Sequence, residues 1–215
     1  MTQQDIIVTA VCLLAAYFVG GIPFGYLIGR MRGVDVRTVG SKNIGATNVF
    51  RTVGKKWGLL AFTCDFLKGF LPTFAVWHFV DGPSWLPLAV GMMCVAGHML
   101  TPFMKFKGGK GVATAFGMLV ALVPALVGVA FLIFAVVFAL SHYISLGSCS
   151  AAVFLGVAVW FKIPALGSPG WVGDKPLCVL MTLLAAFVVF KHRANIGRLA
   201  RGTENKIYLF GSSKK

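Results

Sequence analysis

From residue 111 to residue 161 the chain runs 51 residues without one Asp, Glu, Lys or Arg. A single helix of that length far exceeds the ~30 Å hydrocarbon core of a bilayer, which about 20 apolar residues cross. Other uncharged runs stand beside it: 6–29 with 24 residues, 82–104 with 23, and a shorter one of 15 at 176–190. A further stretch, 57–80, is interrupted only by Asp65 and Lys68. These runs predict an all-α integral membrane protein. The composition points the same way, since charged residues make up only 12% of the chain and hydrophobic ones 58%. An ordinary soluble enzyme or a disordered basic tail is excluded, and a nucleic-acid binder would be far more polar.

The few charges are unevenly placed. Lys and Arg outnumber Asp and Glu by 20 to 6, for a net charge of +14. Seven of the 20 cations fall at 30–56, three at 105–110 and seven at 191–215. The positive-inside rule assigns those segments to the cytoplasmic side and leaves Lys162 and Lys175 outside. The 51-residue run must then cross an odd number of times, and three crossings fit its length. Breaks at Pro124 and around 141–143 divide it into spans of 112–123, 125–141 and 145–161. The expectation is a single domain, 1–215, of about seven transmembrane helices, with the N-terminus outside and the C-terminus cytoplasmic. Five helices with re-entrant pieces is the alternative. The opening MTQQD carries an acid where a signal peptide needs a positive start, so the first helix is expected to be retained. Five cysteines without CxxC spacing imply neither a disulfide framework nor a metal site.

Polar motifs cluster on the side assigned as cytoplasmic. The first is Gly40-Ser41-Lys42-Asn43-Ile44-Gly45-Ala46-Thr47-Asn48-Val49-Phe50-Arg51. Asn43, Thr47 and Arg51 recur every four residues, so a helix there would line them on one face. Ser41 precedes them among glycines that let backbone N–H groups approach a ligand. Hydroxyl, amide and guanidinium groups of this kind suit a phosphate. A plain basic loop obeying the charge rule is the simpler explanation of the spacing alone.

The second motif, Phe106-Lys107-Gly108-Gly109-Lys110-Gly111-Val112-Ala113-Thr114, opens three glycines and a lysine onto an apolar helix. Backbone N–H groups at a helix start and a neighbouring ammonium make an anion site. It is not a Walker A loop, because Lys110 is followed by Gly111 and Met104 stands where the leading glycine belongs. The third cluster is Lys191-His192-Arg193-Ala194-Asn195-Ile196-Gly197-Arg198-Leu199, with His192 and Asn195 on one helix face. Juxtamembrane contacts to anionic headgroups account for its arginines but not for His192 and Asn195. Asp65 and Lys68, three apart in a span, suit either a functional site or an ion pair bracing the bundle.

Two absences narrow the chemistry. No histidine is followed by an Asp five residues on, and no Gly-x-Ser-x-Gly elbow occurs. On the basic side the only carboxylates are Asp35 and Glu204, which argues against carboxylate-pair catalysis and against a hard-metal site.

The three motifs, with Gly97-His98 ahead of the second and Asp65-x-x-Lys68-Gly69 in a span, resemble the acyl-phosphate:glycerol-3-phosphate acyltransferase family over essentially the whole chain. Lys42 departs from that pattern, which has a small residue, often glycine, at its position. The resemblance implies transfer of a fatty acyl group from acyl phosphate to the 1-hydroxyl of sn-glycerol 3-phosphate, giving lysophosphatidic acid and phosphate. It implies a multi-pass protein of the bacterial cytoplasmic membrane with its active site on the cytoplasmic face, working beside lipid, without nucleic acid and without a metal or organic cofactor. In this expectation Ser41, Arg51, Lys110 and the amides of Gly108, Gly109 and Gly111 hold the leaving phosphate. Asn43, Thr47, Ser145, His192 and Asn195 place glycerol 3-phosphate. Either His192 or the acceptor's own phosphate takes the proton. A transporter for an anionic phosphorylated solute is the rival class, although no internal repeat is visible.

Overall fold

The computed structural model describes residues 2–161 and 175–207; Lys162, one of the two cations assigned to the outer side, lies outside them. The regular elements among the described residues are all helices, without strands. The chain divides into two compact units, Met1–Leu122 and Val123–Lys215.

The first unit opens with α1 (Gln3–Gly21) and α2 (Phe24–Met31), parted at Ile22-Pro23. Proline lacks the N–H that would continue the ladder, so the expected run at 6–29 is one broken helix rather than a straight one. After the short α3 (Ala46–Thr52) comes α4 (Lys55–Phe79), 25 residues long with Pro72 inside it. The Thr73 hydroxyl donates to the Gly69 carbonyl at 2.7 Å beside that proline. Such local hydroxyl bonds stabilise a proline-bearing helix where water is absent. α5 (Leu86–Met99) and α6 (Val112–Leu122) complete the unit, with a 3₁₀ turn at Pro102–Met104 between them.

Glycines set the closest helix crossings of this unit. A Cβ at Gly97 of α5 would collide with the Tyr17 carbonyl of α1. One at Gly69 of α4 would collide with the Thr114 carbonyl of α6. Small residues at such crossings let backbones approach without a hydrophobic driving force between helices. Two apolar clusters fill the space that remains. One gathers Ala16, Val76, Leu86, Val90 and Cys94; the other gathers Ile28, Val36, Ile44, Val49 and Ala61 beneath the polar loop before α3.

The second unit contains α7 (Pro124–Ser141), α8 (Ile144–Ala158), α9 (Lys175–Lys191) and α10 (Arg193–Ala200). Both breaks expected inside the long uncharged run occur where the sequence puts them. α7 starts at Pro124, and His142 ends it in the left-handed region with φ 63°. α8 and α9 are tied by Thr182, whose hydroxyl donates to the Gly156 carbonyl at 2.9 Å and accepts from Trp160 Nε1.

All seven expected spans are helical, but their lengths differ. Among the described residues, four helical stretches are long and apolar enough to cross a membrane: Gln3–Met31, Lys55–Phe79, Leu86–Met104 and Pro124–Ser141. Cys178–Lys191 with Arg193–Ala200, bent by 53°, is a fifth if the bent pair counts as one. Val112–Leu122 and Ile144–Ala158 are shorter. The long helices expose apolar side chains, with Phe79 of α4 79% and Leu140 of α7 81% exposed. Contiguous apolar surface of this extent marks a lipid-facing protein.

Candidate active site

The loop ahead of α3 is built around a side chain for which the motif spacing implies no role. Asn48, 1% exposed, accepts from the Ser41 backbone N–H through Oδ1 at 2.9 Å. Its Nδ2 donates to the Val36 carbonyl at 2.7 Å and the Val39 carbonyl at 3.2 Å. One buried amide thus fixes three points of the loop, and its double donor–acceptor character is what permits this. Gly40 sits at φ +58°, and a Cβ there would press on Asn48 Oδ1 and Thr52. Lys42 also lies in the left-handed region, at φ 56°. That conformation explains why a glycine suits its position, since an L side chain there costs about 1–2 kcal/mol.

α3 begins at Ala46, later than the four-residue spacing suggests, with Gly45 as its N-cap. Thr47 and Arg51 lie on it one turn apart, both half-buried. Asn43 does not: it precedes the helix, and its Oδ1 accepts from the Gly45 N–H at 2.8 Å in an Asx turn. The alignment expected of Asn43, Thr47 and Arg51 therefore holds only for the last two.

The glycine-rich loop is bound to the end of α5. The Gly108 N–H donates to the Met99 carbonyl at 3.1 Å and the Gly109 N–H to the His98 carbonyl at 3.0 Å. A helix leaves its last carbonyls without intrahelical partners, and here loop amides satisfy two of them. Those two N–H groups, expected to hold phosphate, are directed at backbone instead. Beyond those two bonds the motif continues through Lys110 and the turn at Gly111 (φ +81°) into the first turn of α6. In that turn the Thr114 hydroxyl is fully buried and has no hydrogen-bond partner among the described residues.

Below this loop lies a buried ionic group. Lys68 Nζ is 2.7 Å from Asp65 Oδ1 and donates to the Ile22 carbonyl at 2.8 Å, at the α1–α2 break. His98 Nδ1 lies 3.6 Å from the same carboxylate oxygen.

In the second unit the expected residues gather around Glu204. Its Oε1 accepts from Ser145 Oγ at 3.1 Å and Asn195 Nδ2 at 2.6 Å, and its Oε2 from Arg198 Nε at 2.6 Å. Burial raises the Glu204 carboxyl, but the bonds from Asn195, Arg198 and Ser145 outweigh it and hold it below the usual range. Sequence reasoning counted Glu204 only as a scarce acid. The sole signal available was the rarity of carboxylates on the basic side. The other such acid, Asp35, is held down at about 2 by hydrogen bonds from the Arg37 side chain and backbone. Both carboxylates are thus engaged by arginine rather than poised as bases.

His192 caps α10 at the bend after α9 and is 3% exposed. Its Nδ1 lies 2.9 Å from the Val188 carbonyl. A carbonyl only accepts, so Nδ1 carries the hydrogen and the neutral ring has its lone pair on Nε2.

Long apolar helices, with a lysine–glycine turn at one helix start in the first unit and a buried hydroxyl–amide–arginine network in the second, define a multi-pass membrane protein with polar groups gathered at helix ends. The comparisons with known proteins narrow that class. The family model described as glycerol-3-phosphate acyltransferase matches residues 10–202, and the chain belongs to that family. A glycerol-3-phosphate acyltransferase of Trichlorobacter lovleyi is 44% identical over 197 residues, 90% of this chain and 95% of its own. That of Geobacter sulfurreducens is 43% identical over 204 residues, 94% and 97% of the two chains. Among solved structures, the integral membrane glycerol 3-phosphate acyltransferase PlsY in its glycerol 3-phosphate form superposes with a TM-score of 0.82 at 38% identity, covering 94% of this chain and 96% of that one. Its lysophosphatidic acid form gives 0.79 at 37%, with the same coverage.

Proposed function

We propose that this acyltransferase moves a fatty acyl group from acyl phosphate to the 1-hydroxyl of sn-glycerol 3-phosphate, releasing 1-acyl-sn-glycerol 3-phosphate and inorganic phosphate. Family membership and the two ligand forms of the PlsY relative support the acceptor and the product. The observation that carries the reading for this chain is the Lys110–Gly111 turn, opening onto α6 and the buried Thr114 hydroxyl, which has no hydrogen-bond partner among the described residues. A phosphate supplies the acceptor oxygens that such a hydroxyl, an ammonium and a helix start require.

An acyl phosphate is a mixed anhydride and already activated, so the hydroxyl attacks the acyl carbon directly and no acyl-enzyme forms. The C–O bond to the glycerol oxygen forms, the bond to the phosphate oxygen breaks, and the hydroxyl proton leaves. Arg51, Lys110 and Ser41 neutralise the departing phosphate and the developing oxyanion. Asn43, Thr47 and the Glu204-braced pair Ser145 and Asn195 place glycerol 3-phosphate. With Asp35 and Glu204 engaged by arginines, His192 Nε2 is the protein group that takes the proton.

The protein spans a bacterial cytoplasmic membrane seven times as a single catalytic domain, N-terminus outside, with the motif loops and the C-terminus on the cytoplasmic face. The placement of 17 of the 20 Lys and Arg residues supports that orientation. The test is purified protein supplied with palmitoyl phosphate and glycerol 3-phosphate. Matched release of phosphate and lysophosphatidic acid is expected. Turnover with acyl-CoA and none with acyl phosphate overturns the donor. Lys110→Ala or Arg51→Ala at full activity overturns the phosphate-binding assignment.

A further inference from the structure

The buried group formed by Asp65, Lys68 and His98 is not used in that reaction, and it sits directly under the glycine-rich loop. The three side chains are 2%, 2% and 6% exposed, on helices α4 and α5 of the first unit. Ion pairs in such surroundings are expensive to desolvate and contribute little net stability. Their arrangement has a direction. Lys68 reaches back to the Ile22 carbonyl at the α1–α2 break and neutralises Asp65. Asp65 faces the Nδ1 edge of His98. The opposite, Nε2 edge of the imidazole lies against Gly109, where an added Cβ would collide with the ring. On its backbone side the same residue accepts the Gly109 N–H, while Met99 accepts that of Gly108. Ring and carbonyl of one residue therefore hold Gly109 from two directions, immediately before Lys110.

We propose that His98, oriented by the Asp65–Lys68 pair, is a positioning residue that sets the height of the Gly108–Gly109 segment and so places Lys110 and Gly111 for the phosphate of a substrate. The inference rests on the reading of that turn as a phosphate site. His98 touches no reacting atom; it acts through the loop. The phosphate is that of glycerol 3-phosphate or that of the acyl donor, and the two are separated by which Michaelis constant moves.

The experiment is steady-state kinetics of the full chain in detergent, both substrates varied, for wild type, His98→Ala, Gly109→Ala, the double variant and Lys110→Ala. His98→Ala is expected to raise KM for one phosphate substrate about tenfold with kcat within about threefold, the signature of misplaced binding rather than lost chemistry. Gly109→Ala, which drives a methyl into the imidazole, is expected to lower kcat/KM about thirtyfold in wild type and less than about threefold where His98 is already Ala, a strongly non-additive pair. A merely structural histidine gives additive penalties and unchanged KM values, and that result overturns the proposal. If His98→Ala does not fold, His98→Asn, which keeps a polar partner for Asp65, replaces it in the same cycle. Lys110→Ala separates the two levels. Loss of activity there with additive His98 and Gly109 effects refutes positioning alone, whereas full activity there removes the phosphate site and the positioning role together.

Discussion

Asn195 donates to Glu204 across 2.6 Å, and the carboxylate that receives it is almost completely buried. Because Ser145 and Arg198 converge on the same group, Asn195 and Ser145 are held in place by an acid nine residues beyond one and 59 beyond the other. The two residues expected to position a substrate are therefore themselves positioned.

Replacing Glu204 with Gln keeps the volume but removes the charge that Arg198 and Asn195 address. A loss of about 2 kcal/mol is expected, the usual penalty for leaving charged donors imperfectly paired. Activity should fall with stability, as read by thermal unfolding in detergent and by phosphate release.

The same carboxyl gives a pH signature. Its native pKa is depressed, so its stabilising contribution is complete above the unfolded value of roughly 4.3 and fades as pH falls through the lower, folded one. Wild type should lose melting temperature in that acid window. Glu204→Gln should lack that part of the slope, and an identical slope in both proteins would refute the assignment.

Asn48→Asp tests the loop before α3. The new oxygen can still accept from Ser41, but the two donations to Val36 and Val39 become a carboxylate facing carbonyls. Catalytic efficiency should fall at least about tenfold through displaced Ser41, with destabilisation of about 2 kcal/mol. Asn48→Ala should fall by a similar amount.

Lys42→Gly should stabilise the protein by about 1 kcal/mol by relieving the left-handed backbone at φ 56°. For a chain of this size that corresponds to a rise of about 2–4 °C in melting temperature. Turnover should be unchanged, because the lysine has no assigned part in the chemistry.

His192→Asn separates the two nitrogens of the ring. The shorter amide can keep the donation to the Val188 carbonyl while removing the group at Nε2. A fall in kcat of about a hundredfold or more is expected. Near-normal turnover would assign the proton to the acceptor's phosphate.

Membrane insertion, the breaks at Pro124 and His142 and the family were legible in the chain, because hydrophobic runs, prolines and short motifs are local properties of sequence. The three motif loops were legible for the same reason. What those loops do with their hydrogen bonds was not. Gly108 and Gly109 read as an anion cradle until α5 is seen to end beside them with two unpaired carbonyls. Asn43 reads as helical until its own side chain is seen to turn the chain at Gly45. Span lengths also escaped, since charge spacing marks the stretches open to helices but not how many of their residues a neighbouring turn removes.

The sequence by itself determined that this is a lipid-embedded helical protein of a known acyltransferase family with its cations gathered at a few loops. Only the tertiary structure decided which polar groups are spoken for. Asn48 under Ser41 and Glu204 under Asn195 bridge seven and nine residues, and Asp65 under His98 joins two helices 33 residues apart, each within its own unit. Buried polar groups demand partners wherever the fold supplies them, and no local pattern says which ones it will supply.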